Sequence, residues 1–334
     1  MNPPIPLEIK PVPPLGLQHV SSWAIFPGLL TPLARFAWRR LADCEDFDLK
    51  PNKLIAEICN CSYRNTVSIN TSNHAPDQPV LAPHPVIPWY FENEDERRAL
   101  LERLFNESAE YYDPINNRMS MGSGNRYRKQ VLLNAGVKSG MSLLDVGCGT
   151  GVIAGHAREI VGSTGRVVGV DPSEGMLAVA RSKGRVTESH VAKAESLPLE
   201  DCTFDMVTMG YALRHVDDLR QAFREYKRVL KPGGMVMILE ITPPKSRIAF
   251  QLLKRYIRTV VPLITKLTTS SSGAHELMSY YWETIELCVP PELILDTMRE
   301  VGFIDVQRNV VLGIFSEYSG IRAEDDSIEV SSAS

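Results

Sequence analysis

The 334-residue chain has no apolar run approaching the roughly 20 residues a helix needs to cross a bilayer, so no membrane-spanning segment is expected. Its six cysteines, Cys44, Cys59, Cys61, Cys148, Cys202 and Cys288, form no C-x-x-C pair and have no histidine or cysteine neighbours at zinc spacing. Neither a disulfide framework nor a metal site is expected, and a reducing, cytoplasmic setting fits. Charge of one sign is also lacking: a net −4 supplies no basic field to attract nucleic acid. The opening residues, MNPPIPLEIKPVPP, do not have the basic-then-apolar order of a secretory signal. The sequons at Asn60 and Asn70 therefore carry little weight. What is present, 44% hydrophobic and 23% charged residues, suits a globular chain with one large core and an added segment.

Four stretches follow from composition and periodicity. Residues 1–91 read as an N-terminal extension, partly helical, with a Pro/Asn/Ser-rich linker over 62–88. A short helix is expected from Thr31, with Pro32 in its first turn and Leu33, Phe36, Ala37 and Leu41 inward; a second covers 51–59. The stretch is either a poorly ordered extension or, because Trp23, Phe26, Phe36 and Trp38 are costly to leave in water, a lid or interface segment. Residues 92–141 read as a helical cap: a helix to Tyr112, a loop over Asp113–Asn125, then a helix to about Ala135. Residues 142–320 alternate strands (142–146, 166–170, 189–192, 204–208, 235–241) with helices (173–181, 219–230, 291–301). That alternation predicts an α/β, doubly wound, mainly parallel sheet covered on both faces. Residues 321–334 read as a disordered tail.

Within that third stretch, Leu144-Asp145-Val146-Gly147-Cys148-Gly149-Thr150-Gly151 ends a strand and opens a helix, where glycines let the backbone approach a ligand. Asp171 ends the next strand about 20 residues on, placed to accept hydrogen bonds from ribose hydroxyls, or simply to cap the helix near Ser173. The turn carries an acid and no Lys or Arg before Arg158, which suits a cationic sulfonium better than a pyrophosphate.

The blocks LDVGCGTG, GVDPSEGML, AESLPLEDCTFDMV and RVLKPGG resemble the successive signatures of class I S-adenosylmethionine-dependent methyltransferases. The flanks YDPINNRMSMG, GYALRHV, LEITPP and YYWETI resemble the UbiE family, which C-methylates prenylated quinols; the likeness covers about 105–315. The resemblance implies a Rossmann-like sheet with a helical insertion over the acceptor, and S-adenosylmethionine as cofactor. It places Tyr112, Met119 and Ser120 over the cofactor, Asp145, Gly147 and Gly149 along its methionine part, and Asp171 on its ribose. Met176 falls at the adenine, or is plain core; Ala194 and Glu195 edge the same ring. The family usually has Asp or Asn where Lys193 stands, and a cation cannot accept from the adenine amino group. Glu195 is then the candidate for that contact, unless the contact is absent.

Acceptor chemistry is expected on loops at the sheet's carboxyl edge: Tyr211, Arg214 and His215 after the fourth strand, and Glu240 at the end of the fifth. The alternatives are that His215 is a surface residue at the start of the next helix, and that Glu240 is a hydrogen-bond partner behind the acceptor rather than facing it. His215 could serve as general base, and Arg214 could hold a phenolate. His215 replaces the family's usual Asn, and Ser-Gly-Asn-Arg-Tyr-Arg (123–128) replaces its usual His-Arg and Trp, so the acceptor is expected to differ in detail. Tyr280 and Glu283 fall where the family covers the acceptor. The leading expectation is C-methylation of a small hydrophobic, isoprenoid-bearing quinol, with peripheral membrane contact left open. Alternatives are methylation of a prenyl diphosphate double bond, gripped by Arg214, Arg126 and Arg128; O- or N-methylation of a secondary metabolite; and a non-catalytic cofactor-binding subunit.

Overall fold

A computed structural model describes residues 79–324. The two short helices expected near Thr31 and over 51–59, the aromatic residues Trp23, Phe26, Phe36 and Trp38, the sequons and the last ten residues lie outside the described residues.

The centre of the molecule is a seven-stranded sheet in the order β3-β2-β1-β4-β5-β7-β6. Its strands are β1 (Ser142–Val146), β2 (Arg166–Asp171), β3 (Glu188–Val191), β4 (Phe204–Gly210), β5 (Leu230–Ile241), β6 (Phe303–Val311) and β7 (Phe315–Arg322). The first five pair in parallel, while β7 runs antiparallel to β5 and β6. Strand β1 buries Leu143, Leu144 and Val146 almost completely, as a central strand covered on both faces must. One layer packs around Phe204, Phe223, Tyr226 and Met298; the opposite layer packs around Val131, Leu143, Ala157 and Val167.

Helices α1 (Glu94–Met119), α2 (Ser123–Asn134), α3 (Val152–Val161), α4 (Glu174–Ser182), α5 (Leu219–Val229), α6 (Arg247–Arg255), α7 (Val261–Thr268), α8 (Ser272–Glu286) and α9 (Pro291–Glu300) complete the described fold. Local signals start several of them. Ser173 accepts from the Met176 N–H to cap α4, and Asp218 accepts from Arg220 and Gln221 to cap α5. Helix α5 then buries Leu219, Ala222, Phe223, Tyr226 and Val229, a stripe at three- and four-residue steps.

Three expectations are corrected. The loop expected over Asp113–Asn125 is mostly helix, because α1 continues through Pro114 to Met119. Pro114 removes one hydrogen-bond donor, a cost of about 3 kcal/mol in a helix interior. Ile115, Tyr112 and Met119 offset it by packing with Leu104, Val261, Leu277 and Met278. The sheet is also wider than expected, since the β6–β7 hairpin was not anticipated. Its turn sits at Leu312 and Gly313, both with positive φ, and a leucine there gives no turn signal. Strand β7 reaches Arg322, two residues into the expected tail.

Strand order reverses between β1 and β4, the point where such sheets open a crevice at their carboxyl edge. Helix α1 packs on α4, α7 and α8 and roofs that edge. The described part of the N-terminal stretch drapes alongside: the Leu219 N–H donates to Leu81 O (3.0 Å) and Val289 N–H to Pro83 O (2.8 Å).

Candidate active site

A cavity of about 540 Å³ occupies the crevice. Its floor is the glycine turn after β1, where Gly147, Gly149 and Gly151 have φ of +60°, +55° and +76°. A Cβ at Gly147 would lie 2.7 Å from the Ala212 Cβ, so that position tolerates no side chain. A Cβ at Gly149 would meet nothing within 4 Å, because that residue faces the cavity.

Asp171 at the end of β2 makes the helix-capping contact expected of it. Its Oδ1 accepts from the Ser173 N–H (2.9 Å) and its Oδ2 from the Gly149 N–H (2.8 Å), so it braces the glycine turn as well as the helix start. Burial pushes its carboxyl up to about 6, and each oxygen keeps a further lone pair. Asp145 also borders the cavity, but its oxygens accept from the Thr208 hydroxyl (2.8 Å) and the Ala154 N–H (3.1 Å). It therefore ties β1 to β4 and to the first turn of α3, and burial raises it to about 7.

The turn is less free of cations than the sequence suggested. Lys183 and Arg185, brought in by the connection after α4, reach it from the side, and Arg185 donates to Thr150 O (2.8 Å). Both pair with Asp113 of α1, at 2.6 and 2.7 Å. Asp113 also accepts from the Thr150 hydroxyl, and these partners outweigh burial and hold its carboxyl below the usual range. This clasp joins roof to floor. Asp113 was missed at the sequence level, although it lies inside the YDP block.

The other expected cofactor residues divide. Tyr112, Ser120, Met176 and Ala194 line the cavity. Met119 does not; it packs among the α1–α7–α8 side chains, while its carbonyl accepts from the Tyr256 hydroxyl (2.6 Å). Glu195 lines the cavity with one oxygen engaged by the Asp217 and Asp218 N–H groups. Lys193 also lines it, and pairs with Asp217 at 3.0 Å.

The expected acceptor residues divide more sharply. Tyr211 and His215 line the cavity together with Phe105 and Tyr281. Tyr211 holds a left-handed backbone (φ +62°), unusual for a bulky residue and sustained by its N–H bond to Leu239 O (2.7 Å). The Arg128 guanidinium sits 4.9 Å from its ring centre. His215 lies edge-on to Phe105 (5.5 Å) and stacks on Tyr280 (6.1 Å). Burial, then the charge of Arg214, pushes its imidazole well below the ordinary value, so it is neutral near pH 7. Its Nδ1 is buried with no partner among the described residues.

Arg214 and Glu240 do not border the cavity. Both are fully buried and paired with each other, and Arg214 also donates to the Thr284 hydroxyl (3.1 Å). Its guanidinium lies 4.3 Å from the centre of the Tyr281 ring, so the pair stands behind the cavity wall and props a residue that does line it. Tyr280 is buried behind His215, and Glu283 is outside, accepting from the Trp89 indole (2.8 Å). Phe105 and Tyr281 were missed because nothing local marks which face of α1 or α8 meets the cavity.

A model of the ubiE/COQ5 methyltransferase family matches residues 92–322. The chain is similar to the demethylmenaquinone methyltransferase of Staphylococcus aureus, with 36% identity over 231 residues, or 68% of this chain and 94% of that one. Among solved structures it is similar to a SAM-dependent methyltransferase from Aquifex aeolicus (23% identical, TM-score 0.40, 59% of this chain and 89% of that one). A SAM-dependent methyltransferase from Thermotoga maritima is comparable (22% identical, TM-score 0.46, 66% of this chain and 99% of that one).

Proposed function

Because the chain belongs to the ubiE/COQ5 methyltransferase family, we propose that it methylates a ring carbon of a prenylated quinol. It is an S-adenosylmethionine-dependent methyltransferase. The observation that carries the quinol reading is the aromatic end of the cavity. There Phe105, Tyr211 and Tyr281 share the cavity lining with a neutral His215. A planar phenol can pack against such rings.

The residues present fit the cofactor. Gly149 leaves open space where a Cβ would stand, and Asp171 has acceptor capacity for ribose hydroxyls. The two cations nearest the turn are spent on Asp113, which leaves a poor seat for a pyrophosphate. When bound, S-adenosylmethionine supplies an electrophilic methyl group. The chain supplies the rest. Gly147 and Gly149 would receive the methionine part, Asp171 the ribose and Met176 the adenine, with Tyr112 and Ser120 closing from above. Tyr211, Phe105 and Tyr281 would hold the quinol ring in line and exclude water. His215 would take the hydroxyl proton of the acceptor as the ring carbon bonds the methyl group and the methyl–sulfur bond breaks, leaving S-adenosylhomocysteine. The proton on that carbon would then be lost to water and His215 would return its proton to the oxygen, restoring the aromatic quinol.

The diphosphate alternative loses its grip residues. Arg214 is sequestered by Glu240, and Arg126 is exposed and outside the cavity lining, which leaves Arg128. The test incubates the full chain and methyl-labelled cofactor with a short-prenyl quinol and, separately, a prenyl diphosphate. Label on a quinol ring carbon is expected, and His215→Gln should lower kcat about 100-fold without changing S-adenosylhomocysteine affinity. Label in the diphosphate, on oxygen or nitrogen of another metabolite, or in no acceptor despite cofactor binding would overturn the reading.

A further inference from the structure

Helix α6, one turn of π-helix (Tyr256–Val260) and α7 form an unbroken helical run from Arg247 to Thr268, with helical backbone at both joints. At 1.5 Å per residue it is about 33 Å long. Ala249, Ile257, Val261 and Thr265 face the protein. The opposite side presents Ile248, Leu252, Leu263 and Leu267, which are 58%, 51%, 56% and 80% exposed. Charge on the same stretch is one-sided. Between Glu240 and Glu276 there is no Asp or Glu, but there are six cations: Lys245, Arg247, Lys254, Arg255, Arg258 and Lys266. Only Lys254 has a carboxylate partner among the described residues, Glu286 at 2.7 Å. A chain of net charge −4 thus concentrates positive charge where it also leaves leucine and isoleucine in water.

We propose that this run is a membrane-surface anchor, lying in the headgroup layer of an anionic bilayer with its leucines in the acyl boundary and its cations on lipid phosphates. Apolar side chains interleaved with unpaired Lys and Arg on one helix face are what such a surface binds. A second copy of the chain is the weaker occupant. A two-fold contact sets each patch against its own kind and would bring like charges together. The run also touches the site: the Tyr256 hydroxyl donates to Met119 O at 2.6 Å, next to Ser120 in the cavity lining. Delivery of an isoprenoid acceptor from the bilayer to that lip rests on the quinol reading; the anchor itself does not.

The test sediments the full-length chain, without acceptor, with phosphatidylglycerol–phosphatidylcholine vesicles and with pure phosphatidylcholine vesicles. Binding is expected on the anionic vesicles and should weaken as salt rises. Arg255→Gln/Arg258→Gln/Lys266→Gln should weaken it about 100-fold, roughly fivefold per charge removed. Leu263→Gln/Leu267→Gln should weaken it about tenfold or more, with Tm and S-adenosylhomocysteine affinity unchanged in both variants. No binding to anionic vesicles, or equal binding by the triple variant, overturns the proposal. So does a dimer in solution that the leucine variant dissociates, which would assign the face to a second copy. Retained vesicle binding with no quinol methylation would leave the anchor standing and remove only the acceptor reading.

Discussion

Replacing Glu240 with glutamine tests whether the buried pair behind the cavity is support or acceptor contact. Glu240 and Arg214 have no solvent exposure. The Glu240 carboxylate outweighs burial and keeps the guanidinium charged. Glutamine keeps the shape of the side chain, so no cavity term enters; what is lost is the counter-charge. Leaving one buried partner unpaired costs about 3–5 kcal/mol. For a folded unit of this size each kcal/mol lowers Tm by about 2–4 °C, so a fall of about 6–20 °C is expected. Arg214→Met/Glu240→Leu removes both charges and should recover most of that loss, since apolar replacements of a buried pair are often neutral. Thermal and urea unfolding at neutral pH measure both. Neither residue lines the cavity, so the double variant should bind S-adenosylhomocysteine normally. Its KM for acceptor should rise, because Tyr281 loses the cation 4.3 Å from its ring. A single-variant cost below about 1 kcal/mol, or a double variant no more stable than the single, would refute the reasoning.

Asp171 should make cofactor affinity pH-dependent. Its carboxyl is raised to about 6 in the fold, so the ribose acceptor is lost as pH falls through 6; S-adenosylhomocysteine affinity by calorimetry should drop there, and Asp171→Asn should be weaker by about tenfold at pH 8 and flat with pH. The sign for stability is the reverse: a raised carboxylate leaves the folded cofactor-free protein holding more protons than the unfolded chain, so its stability should fall as pH rises from about 4 to 6, measured by urea unfolding. Alanine at the two glycines should separate folding from binding. Gly147→Ala should lower Tm, because its Cβ meets Ala212, whereas Gly149→Ala should cost only about 1 kcal/mol of stability yet weaken S-adenosylhomocysteine binding, because its Cβ points into the cavity.

The carboxyl edge of β1 and β2 was readable in advance because its chemistry is local. Glycines and a carboxylate at fixed offsets from strand ends allow only a few backbone paths. The acceptor side was less readable. Tyr211 and His215 were found by their place after β4, but Arg214, one residue away, turns its guanidinium to the other side of the wall. Arg214 and His215 are neighbours in the one-turn 3₁₀ helix Leu213–His215 yet point in different directions, and only packing determines which reaches the cavity.

Sequence alone determined the parallel core, the glycine turn and the carboxylate at the end of β2, since periodicity, turn chemistry and motif spacing are properties of a continuous stretch of chain; the cofactor class came from the resemblance its motifs bear to a family. Tertiary structure alone decided that Pro114 sits inside a helix, that Asp113 draws Lys183 and Arg185 to the glycine turn, and that Glu240 serves Arg214 rather than the cavity. Each of these depends on free energies set by partners distant in sequence: apolar burial that offsets a missing hydrogen bond, and charges whose effect depends on which neighbour the fold brings within reach.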